Sequence, residues 1–341
     1  MQPIGIGVLG CGNISRIHAD AIARVPALKL VSVCSRSAAS AEKLASQFRV
    51  AAHANLGAFL ADRSLEAVTI CTPSGTHAEL GCAAALAGKH VLVEKPIDVT
   101  LEKTDDLIKI CAQSGIQLGV SLQSRFLDAP RALRKAVHES RLGRLVMASA
   151  YIKWYRTDQY YASAAWRGTL ALDGGGALIN QAIHTVDLLQ WIAGPVAEVH
   201  AYSGKLLHPQ IEGEDTIVAT LRFRNGALGV IEAATSVYPG FKRRLEITGT
   251  EGTAVLDGDN ISTWAPKDGS PNPAPPSGEV TDGSSNAMAI DSEGHRRVME
   301  DFAQAIQEGC KLVVDGIEGR RALELVLAVY KSARLGKAVA L

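Results

Sequence analysis

A regular alternation of strand-like and helix-like segments over the first 120 residues limits this chain to few architectures. Short apolar runs at Ile4–Leu9, Leu28–Cys34, Ala67–Cys71, His90–Val93 and Gln117–Leu122 read as buried strands. Between them, Ser15–Val25, Ser40–Phe48, His77–Ala87 and Leu101–Ser114 carry helical patterns, with Thr100 as an N-cap for the last and Gly115 as its stop. Alternation of this kind predicts a doubly wound parallel sheet with helices on both faces.

The pattern changes after residue 124. A linking helix is expected over Pro130–Ser140, then strands at Leu145–Tyr155, Val199–Leu206, Asp215–Phe223, Leu228–Thr235, Arg243–Thr248 and Thr253–Asp257. Asn225-Gly226 is a tight hairpin signal. One long helix, Ala177–Ile192, interrupts the set and is closed by Gly194-Pro195. The expectation is a second, α+β domain over 124–341 with a mostly antiparallel sheet, after a first domain over 1–123. Two helices close the chain, Ser292–Glu308 and Ile317–Leu335, and Asp315 with Glu318 resembles a capping box for the second. The final helix is expected to pack back toward the first domain. Residues 265–286 are rich in Pro, Gly and Ser and read as a surface insertion, with a substrate-covering role as the alternative.

Composition removes several classes of function. Lysine plus arginine equals aspartate plus glutamate, 35 each, so a nucleic-acid footprint is not expected. No polybasic tail or long apolar stretch points to a membrane, and the start of the chain reads as a strand rather than a signal peptide. The six cysteines contain no Cys-x-x-Cys pair; they read as reduced, buried thiols in a cytoplasmic protein, with no metal site expected.

Gly10-Cys11-Gly12-Asn13-Ile14-Ser15 follows the first strand and opens a helix. Gly10 permits a tight turn, Gly12 lets the backbone approach a pyrophosphate, and the helix N-terminus offers free N–H groups. The motif predicts a bound dinucleotide, held by Gly10, Gly12, Asn13 and Ile14. At the end of the second strand an acidic residue would bind the ribose of NAD. Here Cys34-Ser35-Arg36-Ser37 stands instead. Ser35 and Arg36 suit a 2′-phosphate, so NADP is favoured over NAD.

Three further clusters carry chemistry: Cys71-Thr72-Pro73-Ser74-Gly75-Thr76-His77; Glu94-Lys95-Pro96; and Trp166-Arg167-Gly168, followed by Asp173-Gly174-Gly175-Gly176 and Asn180-Gln181-Ala182-Ile183-His184-Thr185-Val186-Asp187. In the last, Asn180, His184 and Asp187 recur at helical spacings and are expected on one face. On these motifs the chain resembles the glucose–fructose oxidoreductase / inositol dehydrogenase (Gfo/Idh/MocA) family from Gly10 to its closing residues. The resemblance implies a Rossmann domain, then a C-terminal domain whose large open sheet forms an oligomer interface, giving a homodimer or homotetramer. It implies nicotinamide beside Lys95 in a pocket between the domains, a Lys95-Pro96 peptide that is often cis in relatives, and Arg125 pointing into that pocket.

The expected activity is hydride transfer between nicotinamide and a secondary hydroxyl or ketone of a sugar, sugar acid, nucleotide sugar or cyclitol. Lys95 can stabilise alkoxide character, and His184 has the natural pKa for proton transfer near neutrality. A structural ion pair of Lys95 with Glu94 or a helix carboxylate is the alternative. Many relatives carry aspartate where this chain has Asn180, which cannot take a proton and is expected to orient its neighbours. Some relatives acting on sugar acids or nucleotide-linked sugars also show Asn-Gln before Ile-His. Asp187 is expected to fix the helix or the histidine. Thr72, Pro73, His77, Glu94 and Lys95 are the remaining cofactor candidates, although His77 reads more simply as a helix cap. Arg125, Tyr155, Trp166 and Arg167 are candidates for substrate, with the arginines suited to a carboxylate or phosphate. A dihydrodiol-type substrate and a non-catalytic nucleotide-binding regulator are the rival readings.

Overall fold

The computed structural model describes residues 2–274 and 292–341. Two compact units divide the chain: Met1–Gln123 with Ser292–Arg320, and Ser124–Asp291 with Arg321–Leu341.

The first unit holds β1 (Ile4–Leu9), α1 (Asn13–Ala23), β2 (Leu28–Cys34), α2 (Ala38–Phe48), β3 (Ala51–His53), α3 (Leu56–Leu60), β4 (Ala67–Ile70), α4 (His77–Leu86), β5 (His90–Glu94), α5 (Leu101–Gln113) and β6 (Leu118–Ser121). Its parallel sheet runs β3-β2-β1-β4-β5-β6. All residues of β1, β4 and β6 are buried, as expected for strands covered on both sides. The order reverses between β1 and β4, and right-handed crossovers then put α1 and α2 on one face and α4 and α5 on the other. The reversal also leaves a crevice at the C-terminal ends of β1 and β4, where such sheets bind ligands. β3 escaped the sequence reading because it is three residues long and largely exposed, with no apolar run to detect.

The second unit holds α6 (Asp128–His138), β7 (Leu145–Lys153), α7 (Asp158–Ala162), α8 (Ile183–Ala193), β8 (Val196–Gly204), β9 (Thr216–Phe223), β10 (Leu228–Ala234), β11 (Arg244–Gly249), β12 (Gly252–Asp257) and β13 (Asn260–Pro266). Beyond the undescribed stretch come α9 (Glu293–Glu308), α10 (Gly316–Leu335) and β14 (Val339–Ala340), which pairs with β8. The eight-stranded sheet runs β13-β12-β11-β7-β10-β9-β8-β14 and is antiparallel except at β7–β10. Gly226, at φ +87°, turns the hairpin between β9 and β10 as Asn225-Gly226 predicted.

Three sequence expectations change. Residues 292–320 were expected in the second domain but join the first unit: α9 packs against α1 and β6, and the Val120 N–H donates to the Val314 carbonyl at 3.1 Å. An amphipathic helix shows which face it buries but not which core receives it. The Pro/Gly/Ser-rich stretch begins later than residue 265, because β13 continues to Pro266; beyond residue 274 it lies outside the described residues until 292. The helix expected over Ala177–Ile192 is two pieces, a π-helical segment Ala177–Ala182 and then α8.

Candidate active site

The turn after β1 has the geometry a pyrophosphate needs. Gly10 has φ +100°, and a Cβ there would stand 2.7 Å from the Cys71 backbone at the end of β4. Two strand ends can meet so closely only at glycine. Gly12, the N-cap of α1, faces nothing within 4 Å where a Cβ would be, so the space beyond it is open. Ser15 is buried and its hydroxyl donates back to the Gly12 carbonyl, filling the third position of the fingerprint with a small residue. Asn13 and Ile14 form the first turn of α1, whose N–H groups have few internal partners. These features fit a dinucleotide. At the end of β2, Arg36 is exposed and makes no ion pair among the described residues, while the Ser35 hydroxyl accepts the Ser37 N–H at 3.2 Å. Ser37 is the N-cap of α2. Cys11, between the two glycines, is a thiol that burial pushes up to about 11.

His77 is neither an open ligand nor the cap of α4. It is buried, with ring nitrogens 2.8 Å from the Pro96 carbonyl oxygen and 2.9 Å from that of Thr72. It thereby ties the loop after β4, with Thr72 and Pro73, to the turn after β5. Thr76 stands at the N-cap without a side-chain capping bond, and the Asp98 carboxylate from the turn after β5 accepts the Ala78 N–H at 3.0 Å. Lys95 is half-buried at the end of β5 and its peptide bond to Pro96 is cis.

Glu94 has its own partners. It is buried, and one carboxylate oxygen accepts the His18 Nε2–H at 2.7 Å. His295 Nε2, from α9, stands 3.6 Å from the same oxygen. The other oxygen accepts the Lys95 backbone N–H at 3.1 Å. Burial alone would raise the Glu94 carboxyl, but the adjacent imidazoles outweigh it and hold it well below the usual carboxylate range. His18 is lowered by burial against the pull of Glu94, and the Thr69 hydroxyl lies 2.8 Å from its Nδ1. This is the pattern of a neutral imidazole donating through Nε2. No sequence signal linked His18, Glu94 and His295, which stand far apart in the chain.

In the second unit, the π segment and the first turn of α8 carry Asn180, Gln181 and His184, all half-buried. The Asn180 amide donates to Asp173 and accepts from Gln181 Nε2 at 2.7 Å. Gln181 also donates to the Tyr160 hydroxyl at 2.8 Å and accepts from Arg156 at the same distance. The Arg167 guanidinium lies 4.1 Å from the Tyr160 ring centroid and 5.0 Å from that of Trp166. It forms no ion pair among the described residues, and its Nε is buried without a hydrogen-bond partner. Tyr155 packs edge-on against Tyr238. Arg156 and Tyr160 belong to the aromatic-rich stretch that reads as suited to stacking on sugar faces, and Asp173 and Gln181 to the glycine-rich cluster; that their side chains meet joins three separate segments, which spacing along the chain cannot reveal.

Arg125 is corrected. It was expected to meet substrate, but it is 2% exposed and bonds Asp187 through two contacts of 2.7 and 2.6 Å. Asp187 therefore holds Arg125. The carboxylate takes Nε and one terminal nitrogen, and burial keeps the rest of the guanidinium from the surface.

The segment over residues 4–122 matches a family model described as an oxidoreductase family with an NAD-binding Rossmann fold, and residues 131–255 match a GFO/IDH/MocA C-terminal domain. A solved structure of the WlbA dehydrogenase from Bordetella pertussis, in complex with NADH and UDP-GlcNAcA, is 32% identical, with a TM-score of 0.89, covering 100% of this chain and 99% of that one. The inositol 2-dehydrogenase of Rhizobium meliloti is 27% identical, covering 96% of each chain. The NAD-dependent scyllo-inositol 2-dehydrogenase of Bacillus subtilis is 27% identical, covering 98% of this chain and 95% of that one.

Proposed function

Because the chain belongs to the Gfo/Idh/MocA family of NAD-binding oxidoreductases, we propose that it exchanges hydride between a nicotinamide dinucleotide and a secondary carbinol of an anionic sugar, a nucleotide-linked hexuronic acid. One observation carries the choice of an anionic sugar over a neutral polyol. Arg167 is a cation held by aromatic stacking, with no acid partner among the described residues. Such a group suits a carboxylate or phosphate. The UDP-GlcNAcA bound by the WlbA dehydrogenase supports the same substrate class.

The residues divide the work as follows. Bound nicotinamide would supply the hydride acceptor or donor. Lys95 hydrogen-bonds the reacting oxygen and stabilises its alkoxide character, and His184 takes or returns the hydroxyl proton. Asn180 orients: its amide is fixed between Asp173 and Gln181 and cannot take up a proton. Gly10, Gly12, Asn13 and Ile14 would hold the pyrophosphate, with Thr72 and Pro73 offered from the loop after β4. Ser35 and the exposed Arg36 favour NADP, although NADH occupies the WlbA structure. Paired titrations decide the cofactor: tighter NADPH binding that Arg36→Ala abolishes is expected, and equal binding of NADH overturns NADP. Six free thiols support a reducing, cytoplasmic setting. Among the described residues no helix is long and apolar enough to cross a membrane.

The test compares turnover of UDP-GlcNAcA and myo-inositol with both cofactors. The sugar acid is expected to react faster, with Arg167→Ala raising its KM by about tenfold or more and leaving kcat within about threefold. Faster turnover of inositol, unaffected by Arg167→Ala, overturns the assignment. Lys95→Ala is expected to lower kcat by more than about tenfold, or 1.4 kcal/mol of barrier.

A further inference from the structure

The first unit contains a buried histidine–glutamate–histidine cluster that the proposed chemistry does not use. His18 is 0% exposed, His295 1% and Glu94 6%. The residues come from α1, α9 and the end of β5, and the two imidazoles meet at a centroid distance of 5.3 Å. Two histidines and a carboxylate would suit zinc by type. However, His18 Nε2 and the Glu94 oxygen are 2.7 Å apart, a hydrogen-bond distance. Two ligand atoms on one tetrahedral zinc stand about 3.3 Å apart.

We propose that His18 and His295 are positioning residues for Lys95, acting through Glu94. The histidines fix one carboxylate oxygen from two helices, and the other oxygen holds the backbone N–H of the lysine. The Glu94 side chain would otherwise be a buried charge without a partner, which proteins avoid. With the carboxylate fixed, the end of β5 is fixed, and the start of the Lys95 side chain with it. His295 brings in α9, so a helix nearly 200 residues away in sequence sets the geometry at the strand end. Its Nδ1 has no hydrogen-bond partner among the described residues, a cost in stability accepted at a position where the ring faces Glu94.

This inference rests on the assignment of Lys95 to the reacting oxygen, so the experiment separates the two. Lys95→Ala, His18→Ala, His18→Gln and His295→Ala are compared with the unaltered protein on the substrate it turns over. The expected result for His18→Ala is a fall in kcat of about tenfold with KM within about twofold, and recovery to within about threefold in His18→Gln, which keeps a donor for Glu94. The acid limb of the kcat profile should also move to higher pH in both alanine variants. Glu94 then loses imidazoles that favour its ionised form, while burial remains; Thr69 and Cys71 on β4 and the loop after it are the other polar groups facing this cluster. A third readout is independent of turnover. Hydrogen exchange at the Lys95 amide, slow in the unaltered protein, should accelerate in His18→Ala.

If Lys95→Ala retains turnover, the functional reading fails whatever the histidines do. If Lys95→Ala loses turnover while folded His18→Ala and His295→Ala keep kcat, acid limb and amide protection, positioning is overturned. If His18→Ala does not fold, the same readouts on His295→Ala decide, and fast exchange of the Lys95 amide in the unaltered protein overturns the proposal outright. Loss of activity to a chelator, restored by zinc, would make the cluster a metal site and also overturn it.

Discussion

Single residues separate what folding needs from what binding needs. Gly10 and Gly12 look alike in the sequence, yet a Cβ at Gly10 would strike the Cys71 backbone from a left-handed conformation, and one at Gly12 would enter open space. Gly10→Ala is therefore expected to unfold at markedly lower temperature. Gly12→Ala should melt within about 2 °C of the unaltered protein and still bind NADH and NADPH at least about tenfold more weakly, as melting curves and fluorescence titration would show. Arg125 and Asp187 teach the converse lesson. The family resemblance made Arg125 conspicuous and the helical spacing made Asp187 so, but burial turned them into a structural pair. Asp187→Ala should cost about 3–5 kcal/mol in urea denaturation because it removes the carboxylate that balances a buried guanidinium.

At the level of elements, Ala177–Ile192 was legible as helix, and its π-helical start over Ala177–Ala182 was not. That start is held by a residue distant in sequence. Just before β9, Glu214 accepts the N–H groups of Gly176 and Leu178 at 3.0 and 2.7 Å and the Tyr330 hydroxyl at 3.0 Å. A Cβ on Gly176 would stand 1.7 Å from the Glu214 carbonyl oxygen. The glycine triplet is thus there partly for a backbone approach. Burial pushes the Glu214 carboxyl from 4.5 up to about 7 in spite of those donors. A carboxyl raised on folding binds its proton more tightly in the native state, so stability falls as pH rises from 4.5 through 7. The ceiling is about 3 kcal/mol, from 1.36 kcal/mol per unit. Urea unfolding near pH 5 and pH 8 should show that loss in the unaltered protein and a much flatter dependence in Glu214→Gln.

At the scale of the whole molecule, the eight-stranded sheet leaves Met147, Tyr202, Val218 and Leu228 between 45% and 71% exposed. The strand registers set Leu228 beside Met147 and Tyr202 beside Val218, so the apolar positions gather on neighbouring strands. A shallow groove of about 310 Å³ lies among Met147, His200, Thr220, Leu228 and Val230. Grouped apolar exposure of this kind marks an interaction surface. The expectation is a homo-oligomer through this face, with Leu228→Glu shifting sedimentation toward the monomer. A single sedimenting species of monomer mass in the unaltered protein would refute it.

The sequence by itself determined the strand–helix alternation of the first 120 residues, the parallel and antiparallel character of the two sheets, and the motifs that mark the family. Those properties depend on local periodicity, turn chemistry and spacing within one element, which are written along the chain. Tertiary structure alone decided that residues 292–320 join the first unit, that Arg125 and His77 are spent on internal contacts, and that His18 and His295 converge on Glu94. Burial and hydrogen-bond partners depend on which distant segments meet, and that is a property of the packed core rather than of neighbouring residues.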